Sequence, residues 1–524
     1  MQQAWGSKAL TALVGMVMLM AAVVACGGSH AAGATNGAQA SGAITDSRVP
    51  ATAAAAAPGG DWSTFDYNAE RSGVGPSRTG ITSRDLRSLR RRVVQVPGVA
   101  DSSAVELHGV RVGGRARDVI FITTTYGRTL AIDPATRRTL WQYTPGDIDS
   151  YRGSQQITTA TPVIDPDRRY LYAASPDGVI NKLAVANGQE VRSGPWPVRV
   201  TYNPAHEKIA GALNITGNSV VVVTGGYLGD QPPYQGHLVM INRASGQIGQ
   251  VWNADCSNRR SLIDPTTSCH ADLTFGGSAI WARSGAVIEP DTGRILVATG
   301  NGPYNGSTNW GDSVLELSPG AARLLHGWTP RDQARLNAAD LDLGSTAPAL
   351  LLVDGHRLAV QGGKDGLLRL LNLARLNGTT GGAGPRLGGE LSDTSAPGGG
   401  QVLTAPAVWS HGGREYVFVG DDSGTAAYVL RLGARPHLAA VWQNGHAGTS
   451  PVLAGGLLYV YDDQGGALDV YSPATGRLLR SLPAAPGHWS SPIVVGGRII
   501  LPTGGSTRDN ASSSRVFIYH LPGK

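Results

Sequence analysis

Lysine is rare in this chain: only five of its 44 basic residues are Lys, and a formal charge of +6 is spread thinly over 524 residues. The one basic run, residues 87–92, reads as a solvated edge, and the bias toward Arg gives no sign of a nucleic-acid surface, so no nucleic-acid partner is expected. Charged residues of both signs reach only 16%, against roughly 25% in an average soluble domain, while apolar residues make up 41%. That balance excludes a disordered acidic chain and is enough for a large core. Apart from one stretch near the start, long apolar runs are missing, which excludes a polytopic membrane protein. Several enzyme signatures are missing as well: no Gly-x-Ser-x-Gly elbow, no His-Glu-x-x-His, no Gly-x4-Gly-Lys-Ser/Thr and no Cys-x-x-Cys-His occurs. Serine hydrolase, zinc protease, P-loop nucleotidase and self-contained haem protein are therefore not expected, and no haem is encoded. What the chain has in abundance is backbone punctuation, 72 Gly and 31 Pro, about a fifth of all residues where roughly 12% is ordinary. A mostly helical fold does not tolerate that.

Lys8 precedes the apolar run 9–25, which is broken only by Thr11 and Gly15 and ends in Val23-Val24-Ala25 before Cys26. Small residues before a cut and a thiol after it form a secretory signal with a lipobox, so residues 1–25 are expected to be removed and Cys26 to carry diacylglycerol. The run is also near the lower length limit for spanning a bilayer, which leaves an uncleaved signal anchor as the alternative. Residues 26–60 are Gly/Ala-rich without periodicity and are expected to be a flexible tether reaching roughly 30 Å. The folded part, 61–524, would then be held to a membrane by lipid on the extracytoplasmic side. The two remaining cysteines, Cys256 and Cys269, are expected to form one disulfide in that compartment. A zinc site using both with His270 lacks a fourth ligand at a usual spacing.

One phrase recurs along the chain: Gly, an alternating apolar stretch, a turn and often Trp. It starts as GRTLAIDPATRRTLW at Gly127 and returns at Gly178, Gly236, Gly311, Gly366, Gly424, Gly466 and, in shortened form, Ser514. A second phrase, a small-residue step into an apolar strand, precedes most copies: TTATPVI at Thr158, GSTAPALL at Gly344, LTAPAVW at Leu403, GTSPVLA at Gly448 and WSSPIVV at Trp489. Short strands separated by Gly, Asp and Pro turns, in eight such units, predict an all-β, eight-bladed propeller of four-stranded antiparallel blades. A lone blade has two apolar faces, and only neighbours around an axis bury both. Trp141, Trp252, Trp328 and Trp442 are expected to pack between blades. The last unit lacks a fourth strand, and the early stretch Arg92–Val96 is expected to supply it and close the ring.

These repeats, with Ala-Ile-Asp-Pro-Ala-Thr-x-x-x-Leu-Trp as the clearest copy, resemble those of the pyrroloquinoline quinone (PQQ) propeller superfamily from about residue 61 to the end. The opening DWSTFDYNAERSG is similar to the start of quinoprotein alcohol dehydrogenases. The superfamily also includes a scaffold lipoprotein of the outer-membrane barrel-assembly machinery, so the resemblance implies either of two activities. One is a PQQ- and calcium-dependent dehydrogenase of alcohols or sugars that passes electrons to an external acceptor. The other is a non-catalytic scaffold with an envelope protein as partner. For the dehydrogenase, the turn ATGNGPYN puts Asn301 where an Asn ligates calcium on the quinone, as suits an oxygen-seeking cation. The carboxylate motif that supplies the general base is matched by Asp340 and Asp342 in TPRDQARLNAADLDLGS, without its Trp. Asp340 would be the base and a further metal ligand, and Asp342 would contact the cofactor. Asp230 in VVVTGGYLGDQPPYQG stands nearest to another carboxylate ligand. Lys364 in QGGKDGLLRLLN matches a basic donor to the quinone oxygens, and Trp281 matches, two residues out of step, the indole that stacks beneath the quinone.

Overall fold

Each copy of the Gly-led phrase is a turn followed by the third strand of a four-stranded sheet. The structure, a computed structural model, describes residues 60–227, 231–269, 276–376, 386–505 and 514–523. Among these residues the chain forms eight four-stranded antiparallel sheets, each a simple meander from an inner to an outer strand. The blades span 105–143, 163–199, 214–253, 287–328, 349–395, 407–444 and 452–483, and the eighth joins 493–520 to a strand from the chain's beginning. Inner and middle strands bury almost every side chain, as in Thr129–Ile132 and Ser219–Val223, whereas outer strands such as Leu478–Pro483 are mostly exposed. Among the described residues no helix is long and apolar enough to cross a membrane. The signal segment, the tether and Cys26 lie outside the described residues.

The closing strand is longer than the sequence implies. Arg90–Val96 pairs with Ser514–His520, from Arg90 opposite His520 to Val96 opposite Ser514. Arg90 and Arg91 look like a solvated charge run because they lie on the exposed edge, yet Arg91 spreads its guanidinium 5.8 Å from the Phe517 ring. Such stacking lets a charged residue extend an edge strand without burying charge.

The recurrence of Trp and Gly has one mechanical cause. Trp141, in the outer strand of the first blade, donates from Nε1 to Val185 O of the second at 2.9 Å, and its ring fills the space where a Cβ on Gly188 would be. Trp442 does the same across the sixth and seventh blades, donating to Pro473 O at 2.8 Å and lying against Gly476. Both glycines also hold a positive φ, +72° and +66°, so a side chain there meets strain as well as a clash. Trp252 and Trp328 are fully buried against the next blade by apolar packing, and Trp328 donates from Nε1 to Glu390 Oε2 at 3.2 Å.

Residues 61–80 run through the ring along its inner strands. Trp62 exchanges two backbone hydrogen bonds of 2.8 Å with Glu106, and Ser63, Ala69, Ser72 and Gly73 accept from Ile164, Ile288, Val408 and Leu453 at 2.8–3.0 Å. Phe65, 1% exposed, packs between Ala212 and Ala405, which lead into the third and sixth blades on nearly opposite sides of the ring. Arg71 is buried beside it and donates to Thr64 Oγ1, Phe65 O, Ser284 O and Leu213 O. The segment therefore plugs the channel and ties seven of the eight blades. Cys256 and Cys269 are bonded to each other, with Cα atoms 6.1 Å apart.

Candidate functional site

In an up-and-down blade, the link from second to third strand and the link from outer strand to the next inner strand emerge at the same end of the ring. Asn301 lies on the first kind of link in the fourth blade, and Lys364 on the same link in the fifth. Asp340 and Asp342 lie on the long connection between these blades, and Trp281 on the connection into the fourth. Residues up to 83 positions apart in sequence thus meet at one mouth, which is what the propeller topology predicts.

The meeting is by direct contact. Asn301 Nδ2 donates to Asp340 Oδ1 at 2.8 Å, and its backbone N–H donates to Asp342 Oδ1 at 2.7 Å. Lys364 Nζ bridges the two carboxylates, 2.9 Å from Asp340 Oδ1 and 2.5 Å from Asp342 Oδ2, and lies 5.5 Å from the Trp281 ring centre. Gly300 makes the approach practicable, since a Cβ there would strike both Asp342 Oδ1 and Trp281 Nε1. Asp340 holds a left-handed backbone, φ +52°, and its side chain is 63% exposed, whereas Asp342 is buried. Burial opposes the charge on Lys364, but Asp342 and then Asp340 outweigh it, and its pKa is raised. Beneath them, burial and then the charge of Asp342 push the Asp312 carboxyl well above its ordinary range.

One atom of this group stands out. Asn301 Oδ1 is buried and has no hydrogen-bond partner, although the amide's nitrogen and the residue's backbone N–H are both satisfied. An unpaired buried carbonyl costs about 1–3 kcal/mol and marks a place where a partner belongs. A hard cation is one such partner. Among the described residues, however, no group of three or more His, Cys, Asp or Glu is placed to hold a metal ion. Asp230 lies outside the described residues.

The mouth has a second half that sequence reasoning missed. Trp489, from the connection into the eighth blade, faces Trp281 with ring centres 6.0 Å apart, and His488 stacks on it at 4.1 Å. Arg283 crosses from the fourth blade and donates to Asp101 O at 2.6 Å, Asp101 Oδ1 at 2.5 Å and Thr159 O at 2.9 Å. His488 Nδ1 is 2.8 Å from Arg283 and 3.1 Å from both Asp101 oxygens. Lys208 adjoins this group, on a two-residue strand in which Glu207 and Lys208 pair with Gly226 and Gly225. Two signals were available: the rarity of lysine, and a Trp that opens the small-residue phrase instead of closing an outer strand.

An eight-bladed ring with plugged channel, Trp-on-Gly blade contacts and a polar mouth is the class of protein defined by PQQ-type repeats. The family model described as "Outer membrane protein assembly factor BamB" matches residues 71–336. The chain belongs to this family of PQQ-repeat β-propellers. Quinoprotein alcohol dehydrogenase PedH of Pseudomonas putida is 23% identical over 216 residues, 38% of this chain and 34% of that protein. Quinoprotein ethanol dehydrogenase, also of Pseudomonas putida, is 24% identical over 210 residues, 36% and 32% of the two chains. The chain thus spans about a third of the length of these curated relatives. Among solved structures, quinohemoprotein alcohol dehydrogenase from Comamonas testosteroni matches with a TM-score of 0.65 at 15% identity, covering 90% of this chain and 82% of that one. A europium-containing methanol dehydrogenase gives 0.63 at 15% identity, with 88% and 98% covered. These two similarities establish a shared fold.

Proposed function

We propose that the mouth is a cofactor site and that the protein is a PQQ-dependent oxidoreductase acting on an alcohol or sugar hydroxyl. The observation that carries this reading is the convergence of Asn301, Asp340, Asp342, Lys364 and Trp281 with the Asn301 carbonyl oxygen left unpaired. Bound PQQ with calcium would supply the electrophile that accepts the substrate's hydride. The chain's own residues divide the rest of the work. Trp281 offers its ring face to a planar ligand, and Lys364, kept charged by two carboxylates, donates to the ligand's oxygens. Asn301 Oδ1 and Asp340 are the protein oxygens for the cation, with Asp230 proposed as a third. Asp342 holds Lys364 and the Asn301 backbone in place. Asp340, with both contacts on Oδ1, takes the hydroxyl proton on Oδ2. With PQQ bound, an external acceptor would be needed to take up the electrons.

The test is titration of calcium-loaded protein with PQQ, followed by absorbance, and then dye reduction with a panel of alcohols and sugars. Wild type is expected to bind, and Asn301→Ala or Lys364→Ala to weaken binding at least about tenfold, or 1.4 kcal/mol. A second reading, a scaffold for envelope-protein assembly, is favoured by the description of the matching family model. Failure of the wild type to bind PQQ would leave that reading in its place. For either activity we propose attachment to a membrane through a lipidated Cys26, on the extracytoplasmic side. Cys26→Ser is then expected to release the protein from membranes or block its processing, and unchanged mass and fractionation would contradict the anchor.

A further inference from the structure

The end of the ring opposite the mouth, its underside, carries the turns from first to second strand and from third to outer strand of each blade. Residues 61–80 both enter and leave the channel there. Trp62 pairs with Glu106 in the antiparallel sense and Gly60 lies beside His108, so going back along the chain leads toward the underside turn at Gly113-Gly114. Further on, Pro76 O accepts from Gly455 N at 2.9 Å and Thr79 O from Gly497 N at 2.6 Å, at the first turns of the seventh and eighth blades. The chain then crosses outward to the closing strand at Arg90, through a short helix, Asp85–Arg87, that packs on the outer strand Leu478–Pro483 of the seventh blade.

This crossing is strongly basic. Residues 76–92, with the adjoining turns and outer-strand starts 133–142 of the first blade and 472–483 of the seventh, hold ten arginines and two carboxylates. Their excess of eight is larger than the +6 of the whole chain, so the remainder is on balance slightly acidic. Arg91 and Arg92 knit the three blades together, donating to Pro483 O at 3.1 Å and to Pro134 O at 3.3 Å. Both carboxylates are already engaged: Asp85 accepts from Thr82 N at 2.8 Å and Thr82 Oγ1 at 2.6 Å, and buried Asp133 pairs with Arg117 at 3.1 Å. Arg84, Arg87, Arg90 and Arg91 are exposed along the crossing, and Arg137 and Arg138 beside it. Among the described residues none of these six forms an ion pair, whereas Arg152, Arg192 and Arg335 on other parts of the surface lie against Asp149, Glu190 and Asp332. Between the guanidinium groups stand Leu478, 42% exposed, and half-buried Leu89.

We infer that the underside of the seventh, eighth and first blades docks on an anionic lipid surface through its phosphate headgroups, so that the mouth points away from the membrane. Guanidinium groups bind phosphate oxygens in pairs, and leucines set among them suit the boundary between headgroups and acyl chains. None of the exposed large hydrophobic residues in these segments is aromatic, which leaves the bases of a single-stranded nucleic acid nothing to stack on. The path of the chain favours a membrane as well, because Gly60, through which the ring is joined to Cys26 and the apolar run 9–25, lies in the same first blade and heads for the same end. The inference rests on the chain being held at a membrane and extends that reading by giving the ring an orientation. It holds for a dehydrogenase and for a scaffold alike.

The test uses the full chain with Cys26→Ser, so that lipidation plays no part, and vesicles of phosphatidylcholine alone or mixed with phosphatidylglycerol. The readout is the ratio of the two partition coefficients, in which any contribution of the apolar run 9–25 cancels. A preference for the anionic vesicles of at least about a hundredfold is expected, at roughly fivefold for each basic residue near the surface, and it is expected to vanish in high salt. Arg84→Gln, Arg87→Gln, Arg137→Gln and Arg138→Gln together, at side chains without a hydrogen bond among the described residues, are expected to cut the preference at least about tenfold at an unchanged melting temperature. Arg477→Gln with Arg480→Gln, on the neighbouring blade, is expected to reduce it independently, while Arg152→Gln with Arg192→Gln leaves it unchanged. A fluorophore at Ser88→Cys is expected to be quenched by a headgroup-borne quencher, and one at Ser150→Cys, at the mouth end, to stay bright. No preference between the vesicles, a preference that both underside variants keep, or quenching at Ser150→Cys instead of Ser88→Cys overturns the inference. Retention on heparin that the variants lose, without any preference between the vesicles, also overturns it and assigns the face to an acidic polymer. Failure of the anchor itself shows separately, as a wild-type Cys26 without added mass, and does not enter the vesicle ratio.

Discussion

A chain lacking residues 61–97 is expected to lose its cooperative melting transition, although it retains all four strands of seven blades. Two losses combine. Without Arg90–Val96, the eighth blade ends at Ser514–His520, and Phe517 and Tyr519 on that strand lose the cover of their cross-strand partners Val93 and Arg91. Without residues 61–80 the channel loses Trp62 and Phe65, both buried, and inner strands of five blades lose backbone partners. Truncating one large buried aromatic costs about 3–5 kcal/mol, which already approaches the stability of an ordinary domain. An open ring also presents two bare blade faces, which favours association. Arg71→Ala is the finer version of the same experiment. It keeps the strand but removes four hydrogen bonds and leaves the Asp66 carboxyl, whose pKa burial already pushes well up, without its cationic neighbour. Calorimetry of both variants is the measurement. A truncated chain melting at the parent temperature would show that the ring closes by blade contacts alone.

The fold was legible because its information is local and repeated. Each third strand follows a Gly-led turn, and each outer-strand Trp lies close enough in sequence to its own Gly phrase to be recognised as one unit. Even the closing strand was visible as a missing piece at one end and a spare apolar stretch at the other, short by Arg90 and Arg91 because exposed arginines do not mark a strand. The site was legible in part. Asn301, Asp340, Asp342, Lys364 and Trp281 came from resemblance to a known pattern, and the structure brings all five together. The opposite half has no such pattern: Arg283 meets Asp101 across 182 positions and His488 across 205, distances at which composition and periodicity say nothing. The axial plug was hidden for a similar reason. DWSTFDYNAERSG is the only copy of its kind, and a segment whose partners are seven different blades shows no period of its own.

The ring's seam carries an ionic contact whose strength is expected to depend on pH. Arg498, at the start of the eighth blade's second strand, lies 2.5 Å from Glu106 Oε1 and 2.5 Å from Asp118 Oδ2 of the first blade, and Glu106 is fully buried with its second oxygen unpartnered. Burial raises the Glu106 pKa from 4.5 to about 7, with Arg498 opposing the shift. The folded ring therefore binds more protons here than the unfolded chain between those values, and this group's contribution to stability falls as pH rises from about 4.5 to about 7, by about 3 kcal/mol in all. In Arg498→Met the opposing charge is absent, so the carboxyl is held higher still and the loss continues above pH 7. Asp118 behaves differently. Burial works against its charge, but the Gly109 N–H and Arg498 hold its pKa below the usual range, so its share of the contact is constant between pH 5 and pH 8. Arg498→Met is accordingly expected to be modestly destabilised at pH 5, where Glu106 is protonated, and destabilised by about 3–5 kcal/mol at pH 8, the usual cost of leaving one buried charge without its partner. Adding Glu106→Gln should recover most of the pH 8 loss and flatten the profile. Melting temperatures of the three proteins from pH 5 to pH 8 provide the check, and a wild-type to Arg498→Met difference that does not widen with pH would show that Glu106 does not titrate at the seam.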